Sequence, residues 1–207
     1  MKPRAIERTM HVWERVRNRI FTMLVANQFR EFGPGSRIVP PFTFWGLNQM
    51  SVADRVIIQR DCWIHVVGGY TDEKSVKIVI KSHASIGKRT AISAAEQITI
   101  GEYVMIGSNC LITDHSHVFQ DLARPVMEQG VDSIKPVSIG RESFVGNNVS
   151  VQPGVTIGRH CVIGTNSIVS SSIPDFSVAV GMPARVVKTL GPSPTQSEKL
   201  QAQSAIR

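Results

Sequence analysis

Cysteine is scarce in this 207-residue chain, and the three that occur, Cys62, Cys110 and Cys161, form no CxxC pair. That excludes a disulfide framework and a cysteine-based zinc site, and it suits a reducing compartment. Aromatics make up only 6% of the residues, and charged side chains 19%. Long apolar runs are missing as well: none approaches the roughly 20 residues that span a bilayer. The N-terminus also lacks the succession of basic, apolar and small residues that marks a signal peptide. A cytoplasmic location is expected. With 42% apolar residues the chain can still bury a full core, so disorder throughout is excluded.

Acidic residues are few near the start, and this explains the net charge of +7. Residues 1 to 37 hold Lys2, Arg4, Arg8, Arg15, Arg17, Arg19, Arg30 and Arg37 against Glu7, Glu14 and Glu31, while the remainder is nearly balanced. No zinc-finger, helix-turn-helix or RNA-binding signature accompanies the excess, so nucleic acid is not the expected partner.

What the chain does have is a period of six. Aliphatics recur at Ile80, Ile86, Ile92 and Ile98, then after a two-residue phase shift at Ile100, Ile106, Ile112 and Val118. They resume at Ile139, Val145, Val151, Ile157, Ile163 and Val169, and a weaker early run holds Ile38, Phe44, Met50, Val52, Ile58 and Ile64. Four positions after the aliphatic the residue is usually small or β-branched, as at Ala84, Thr90, Cys110, Ser116, Ser143, Val149, Val155, Cys161 and Ser167. One position after it glycine is frequent, as at Gly87, Gly101, Gly107, Gly140, Gly146, Gly158 and Gly164. Neither a helix nor an alternating strand carries this pattern. A solenoid of short parallel strands does, with aliphatics stacked inside, small residues beside them and glycine relieving the corners, three hexapeptides to a coil.

This pattern resembles the hexapeptide-repeat acyltransferases, over about residues 36 to 190, and most of all the galactoside and maltose O-acetyltransferases. The resemblance implies an all-β fold, a left-handed parallel β-helix, the hand coming from the family and not from the period. The expected organisation is an N-terminal helical cap over 1–35, the β-helix domain over 36–190 with an excursion loop at 119–136, and a loose tail over 191–207. A second interruption is expected over residues 67 to 75. Ahead of the solenoid, residues 5 to 30 read as a helix with Met10, Trp13, Val16, Ile20, Leu24 and Val25 tending to one side. Such a helix either caps the open end of the solenoid or rests, through its basic residues, on an anionic membrane.

Two of the six histidines fall in Asp114-His115-Ser116-His117, directly before the excursion. A histidine on a repeat scaffold is more often a solvated turn residue than a catalyst, but long loops next to such a pair tend to be functional. In the resembled enzymes a histidine closes a hexapeptide just before an extended loop. Counted from Ile112, that place is His117, which ranks it ahead of His115. A neutral imidazole suits removal of a proton from an acceptor hydroxyl near pH 7, and a thioester donor needs no enzyme nucleophile. Asp114 or Glu128 would orient the ring. Cys110 and Cys161 occupy inward small positions and read as core residues.

The stretch from Ser138 to Lys188 resembles the coenzyme-A half of the same enzymes, down to the closing Gly181-Met-Pro-Ala-Arg185. By that resemblance Asn147 and Thr165 contact the pantetheine arm, Arg185 and Lys188 meet the nucleotide phosphates, and Pro183 ends the turn presenting them. Ser171 and Phe144 depart from the lysine and tryptophan common in close relatives. The resemblance further implies acetyl-CoA as donor, a saccharide or glycoconjugate acceptor, a homotrimer and no metal. Two other classes suit a solenoid of this kind: a γ-class carbonic-anhydrase-like metal lyase using His83, His115 and His117, and a noncatalytic scaffold. The His-x-His spacing argues against the first, and the histidine pair with its loop and closing motif against the second.

Overall fold

The computed structural model describes residues 3–68 and 75–191, with no side chains described for residues 3–8. Most of the interruption expected over 67–75, and all but the first residue of the expected tail, lie outside the described residues. The helix, α1, spans Pro3–Ala26. After it the chain winds as a left-handed parallel β-helix whose short strands stack into three sheets. The first sheet runs from Glu31–Phe32 through Met50–Val52, Ile78–Ile80, Ile98–Ile100 and Val137–Ile139 to Thr156–Ile157. A second begins at Arg37–Ile38 and ends in an antiparallel hairpin of Ser177–Gly181 with Ala184–Thr189. The third holds Phe42–Trp45, Cys62–Val66, Ala91–Ala94, Leu111–Thr113, Ser150–Val151 and Ile168–Val169.

Register explains the phase shift. Ile38, Ile58, Ile86, Ile106, Val145 and Ile163 lie directly over one another on the second sheet, so early coils take twenty residues and the last takes eighteen. Inside, aliphatics form a continuous core from Ile38 to Ala184, nearly every member fully buried, with two from each three-residue strand of the first sheet, such as Ile98 and Ile100. Removing one such side chain to Ala costs about 2 to 5 kcal/mol in a core of this kind.

The corners follow a chemistry finer than the period alone. Small inward residues donate to carbonyls of the next coil: the Cys62 thiol to Gly87 O, Thr90 Oγ1 to Gly107 O, the Cys110 thiol to Gly146 O, and Ser143 Oγ to Gly158 O. Each buried polar group thereby satisfies a corner carbonyl that no strand partner reaches. Position one needs glycine for a reason other than backbone relief. A Cβ on Gly87 would sit 2.2 Å from Gly107 O, so the next coil passes too close for any side chain. The left-handed backbone falls instead at position three, on non-glycine residues including His83, Tyr103, Asn109, Asn148, His160 and Asn166. Asparagine tolerates that conformation, and here it also builds a ladder: Arg89 donates to Asn109, Asn109 to Asn148, and Asn148 to Asn166.

The helix docks by a different face from the one its apolar pattern suggests. Asn18, Thr22 and Val25 are buried against the first coil, and the Thr22 hydroxyl accepts the Ile38 N–H at 3.0 Å, closing part of an open sheet edge. Met10, Trp13, Val16, Ile20 and Leu24 point away and are exposed.

Candidate active site

The corner after Leu111–Thr113 is where the winding breaks. Asp114 is fully buried, and its carboxylate accepts the Ala95 N–H at 2.7 Å and the Glu96 N–H at 2.8 Å, both from the equivalent corner one coil earlier. His115 is buried beside it, with Nδ1 2.9 Å from Asp114 Oδ1 and 3.3 Å from Thr113 Oγ1. An ionised carboxylate only accepts, so Nδ1 carries the hydrogen and Nε2 keeps the lone pair. Burial alone would raise the Asp114 pKa. The His115 hydrogen bond and the two backbone N–H groups outweigh it and hold the carboxyl below the ordinary range. Of the two carboxylates open in the sequence, Asp114 is the one in contact. Glu128 sits exposed in a 3-10 turn of the excursion.

From Ser116 the chain has already left the coil. Ser116–His117 pairs antiparallel with Val131–Asp132, making a two-stranded ribbon at the base of the excursion, and Ser116 and His117 are exposed. The hexapeptide frame, extended through Ser116 as an inward residue, therefore ends at Thr113. No carboxylate or hydroxyl among the described residues meets the His117 imidazole.

One neighbour of this corner has no signature in the sequence. On the third sheet Trp45, His65, Ser93 and Thr113 lie in register on successive coils. His65 is half-buried, stacks on Trp63 with centroids 5.1 Å apart, and has Nδ1 3.4 Å from Ser93 Oγ. Burial, then the repulsion a protonated His115 would exert, lower its pKa, which favours the neutral ring beside the pair. The 28 residues from His65 to Ser93 include the interruption, which hides their alignment from any count by six or eighteen.

The set expected at the coenzyme gathers elsewhere. Ser108, Asn147 and Thr165 follow strands in register on the second sheet, so they stack at the corner between second and third sheets. Asn147 Oδ1 accepts the Ser108 N–H at 2.7 Å, and Asn147 and Thr165 are exposed beside the asparagine ladder. Pro183 lies in the turn of the terminal hairpin, whose second strand carries Arg185 and Lys188, both exposed. The hairpin reaches the same corner: Gly181 N–H donates to Ser167 Oγ at 3.0 Å. Phe144 is partly exposed on the outer face of the second sheet between Met105 and Val162, and Ser171 is exposed near the end of the solenoid. Within one chain, then, the coenzyme set and the histidine stand on different corners, separated by the width of the third sheet, about 10 Å for three extended residues.

His83, proposed for a metal trio, stacks on Tyr103 at 4.5 Å on the remaining corner, away from His115. Among the described residues no group of three His, Cys, Asp or Glu converges to hold a metal ion. The cysteines are buried, and burial raises each thiol, Cys62 to about 11 and Cys110 and Cys161 in the same direction, so none is poised as a thiolate.

A family model described as bacterial transferase hexapeptide (six repeats) matches residues 136–171. A "probable acetyltransferase" of Mycobacterium tuberculosis is 38% identical over 129 residues, 61% of this chain and 42% of its own. The galactoside O-acetyltransferase of Escherichia coli is 37% identical over 93 residues, 45% of this chain and 44% of its own. The chain thus spans less than half the length of either relative. Among solved structures, a serine-to-alanine mutant of AntD resembles it with a TM-score of 0.71 at 21% identity, over 88% of this chain and 95% of that one. AntD is an N-acyltransferase from Bacillus cereus, solved there with dTDP-4-amino-4,6-dideoxyglucose and coenzyme A, and the likeness is one of fold. The repeat is thus matched in sequence over residues 136–171, and its coils stack in space as a parallel β-helix.

Proposed function

We propose that this protein transfers an acetyl group from acetyl-CoA to a saccharide hydroxyl, with His115 as the general base and Asp114 as the residue that orients it. The buried Asp114–His115 pair carries the reading, and it reverses the order in which sequence position ranks the two histidines. The names of the two relatives and the coenzyme and aminosugar bound by the AntD structure supply the reaction class. His115 Nε2 takes the hydroxyl proton as the oxygen attacks the thioester carbonyl. The tetrahedral oxyanion then collapses, the C–S bond breaks, and the imidazolium returns the proton to the departing coenzyme sulfur. Asp114 holds the ring in the reactive tautomer and stabilises the transient imidazolium. A neutral His65 adds no competing positive charge. Asn147, Thr165, Pro183, Arg185 and Lys188 would hold the coenzyme, the two cations facing its phosphates.

Because histidine and coenzyme set occupy different corners, we further propose a homotrimer whose sites form between subunits, His115 from one and the coenzyme corner from its neighbour. Free-thiol release from acetyl-CoA across a panel of saccharides tests the activity, and an amide instead of an ester product would redirect it to an amino sugar. Mixing inactive His115→Ala subunits with inactive Arg185→Glu/Lys188→Glu subunits tests the assembly. Shared sites restore activity to about a quarter of wild type on random assembly, whereas sites within single chains restore none.

A further inference from the structure

The apolar stripe on α1 is the largest feature the proposed chemistry leaves unused. Val12, Trp13, Val16, Ile20, Met23 and Leu24 are between 52% and 70% exposed, although Asn18, Thr22 and Val25 on the opposite side are buried in the first coil. At 100° per residue the six fall within one third of the helix circumference, so they form a single continuous stripe. A docked helix that faces its apolar side outward has inverted the usual arrangement, and six such residues in one stripe exceed what scattered surface apolars explain.

Charge decides what the stripe meets. Arg15 and Arg19 run along one flank, and Arg17 along the other, its guanidinium 5.1 Å from the Trp13 ring centroid. Beside Met23, between helix and first coil, lies a cavity of about 440 Å³ lined by Arg15, Arg19 and Arg37 with Thr22, Gly35 and Ser36. None of those three arginines is in an ion pair among the described residues. From residue 9 to Ala26 the sole carboxylate is Glu14, which faces the solenoid and pairs with Arg60 at 3.5 Å. A second copy seated on this stripe would set arginines against arginines with no carboxylate to answer them. A surface that is apolar in its interior and anionic at its rim matches both parts at once.

We propose that α1 lies in the plane of an anionic lipid bilayer, with the apolar stripe at the boundary between headgroups and acyl chains and Arg15, Arg19 and Arg37 on lipid phosphates. The buried face meanwhile fixes the solenoid to the helix, so the body stands on the membrane by its first coil. This is independent of the acetyl-transfer reading: a protein inactive on every saccharide would still bind.

The test is co-sedimentation of the full chain with phosphatidylglycerol–phosphatidylcholine vesicles and with pure phosphatidylcholine vesicles at low and high salt. Binding is expected to the anionic vesicles and to fall with salt. Ile20→Asp/Leu24→Asp and Arg15→Glu/Arg19→Glu should each reduce bound protein about tenfold or more. All four positions are exposed, so the helix signal and melting temperature should stay within a few degrees of wild type, showing that the variants fold. Three results overturn the proposal: no sedimentation with anionic vesicles, equal binding to neutral ones, or a drop in the protein's mass by light scattering in Ile20→Asp/Leu24→Asp, which would make the stripe a seam between copies.

Discussion

His115 and His117 stand two residues apart and inhabit different chemistries. One lies on the last corner of a regular coil, 8% exposed, with its Nδ1 hydrogen assigned to a carboxylate that is itself anchored by two backbone N–H groups of the coil before. The other lies on a two-stranded ribbon that has left the solenoid, open to solvent and without such a partner among the described residues. The difference teaches that burial and a fixed hydrogen-bond partner can change completely within two residues where the winding of a repeat breaks.

The sharpest way to break this comparison is to remove each ring in turn. His115→Ala is expected to lower kcat by about a hundredfold to ten-thousandfold, and His117→Ala by less than about tenfold and partly through KM. Steady-state kinetics on the same acceptor compares them, and the opposite ranking would return the base to the ribbon. Next in size is Asp114→Asn, which keeps the shape but removes the acceptor from His115 and sets an amide N–H against a backbone N–H. It should cost about tenfold to a thousandfold in kcat and about 1 to 3 kcal/mol of stability.

Asp114 also gives the comparison a pH signature. Its carboxyl is held below the ordinary value of 3.8 in the folded protein. The stability it contributes is therefore fully present above that value and is lost as pH falls from there through the lowered folded value. Denaturant titrations of wild type and Asp114→Asn should converge below about pH 4, whereas His117→Ala, which leaves this carboxyl alone, should run parallel to wild type. A constant gap down to pH 2 would show that the carboxylate contributes no proton linkage.

A third contrast sets the coil interior against the excursion. Ile100→Ala, at a fully buried position, should lose about 2 to 5 kcal/mol, and Leu122→Ala, on the exposed excursion, should stay within about 0.5 kcal/mol of wild type. Chemical denaturation reads both. The smallest effect belongs to a regular corner. Asn109→Gly keeps the left-handed backbone at no steric cost while removing two rungs of the asparagine ladder, so a loss of about 0.5 to 1 kcal/mol is expected from the ladder and from the freedom glycine adds to the unfolded chain. Asn109→Ala adds the cost of a positive φ, about 1 kcal/mol more.

Most of the fold was legible in the sequence because inward aliphatics leave a six-residue trace from Ile38 to Val169 that resumes after each of its two interruptions. The histidine pair and Asp114 were legible too, as a cluster before a break. Their surroundings were not: counting on from Ile112 treats Ser116 as inward whereas it is exposed, and the Asp114 contacts to the N–H groups of Ala95 and Glu96 carry no side-chain signal. His65 escaped for a related reason, since the interruption after it makes its distance to Ser93 28 residues, a multiple of neither six nor eighteen. The amphipathic helix was legible with two placements open to it, a cap on the solenoid or a membrane surface; its docking on the first coil rests on Thr22, Asn18 and Val25 and leaves Met10, Trp13, Val16, Ile20 and Leu24 exposed.

The inward thiols have a consequence for how the solenoid comes apart. Cys62 lies in an early coil, Cys110 midway and Cys161 near the end, each buried and each hydrogen-bonded to a carbonyl of the coil that follows. Burial holds all three in the unreactive thiol form, so an alkylating reagent in solution reaches one only when that coil has opened. Because each coil touches only its neighbours, openings can start at an end and stop partway. The three thiols are thus internal clocks at known depths, and the order in which they are alkylated in the native protein would record from which end the molecule unwinds.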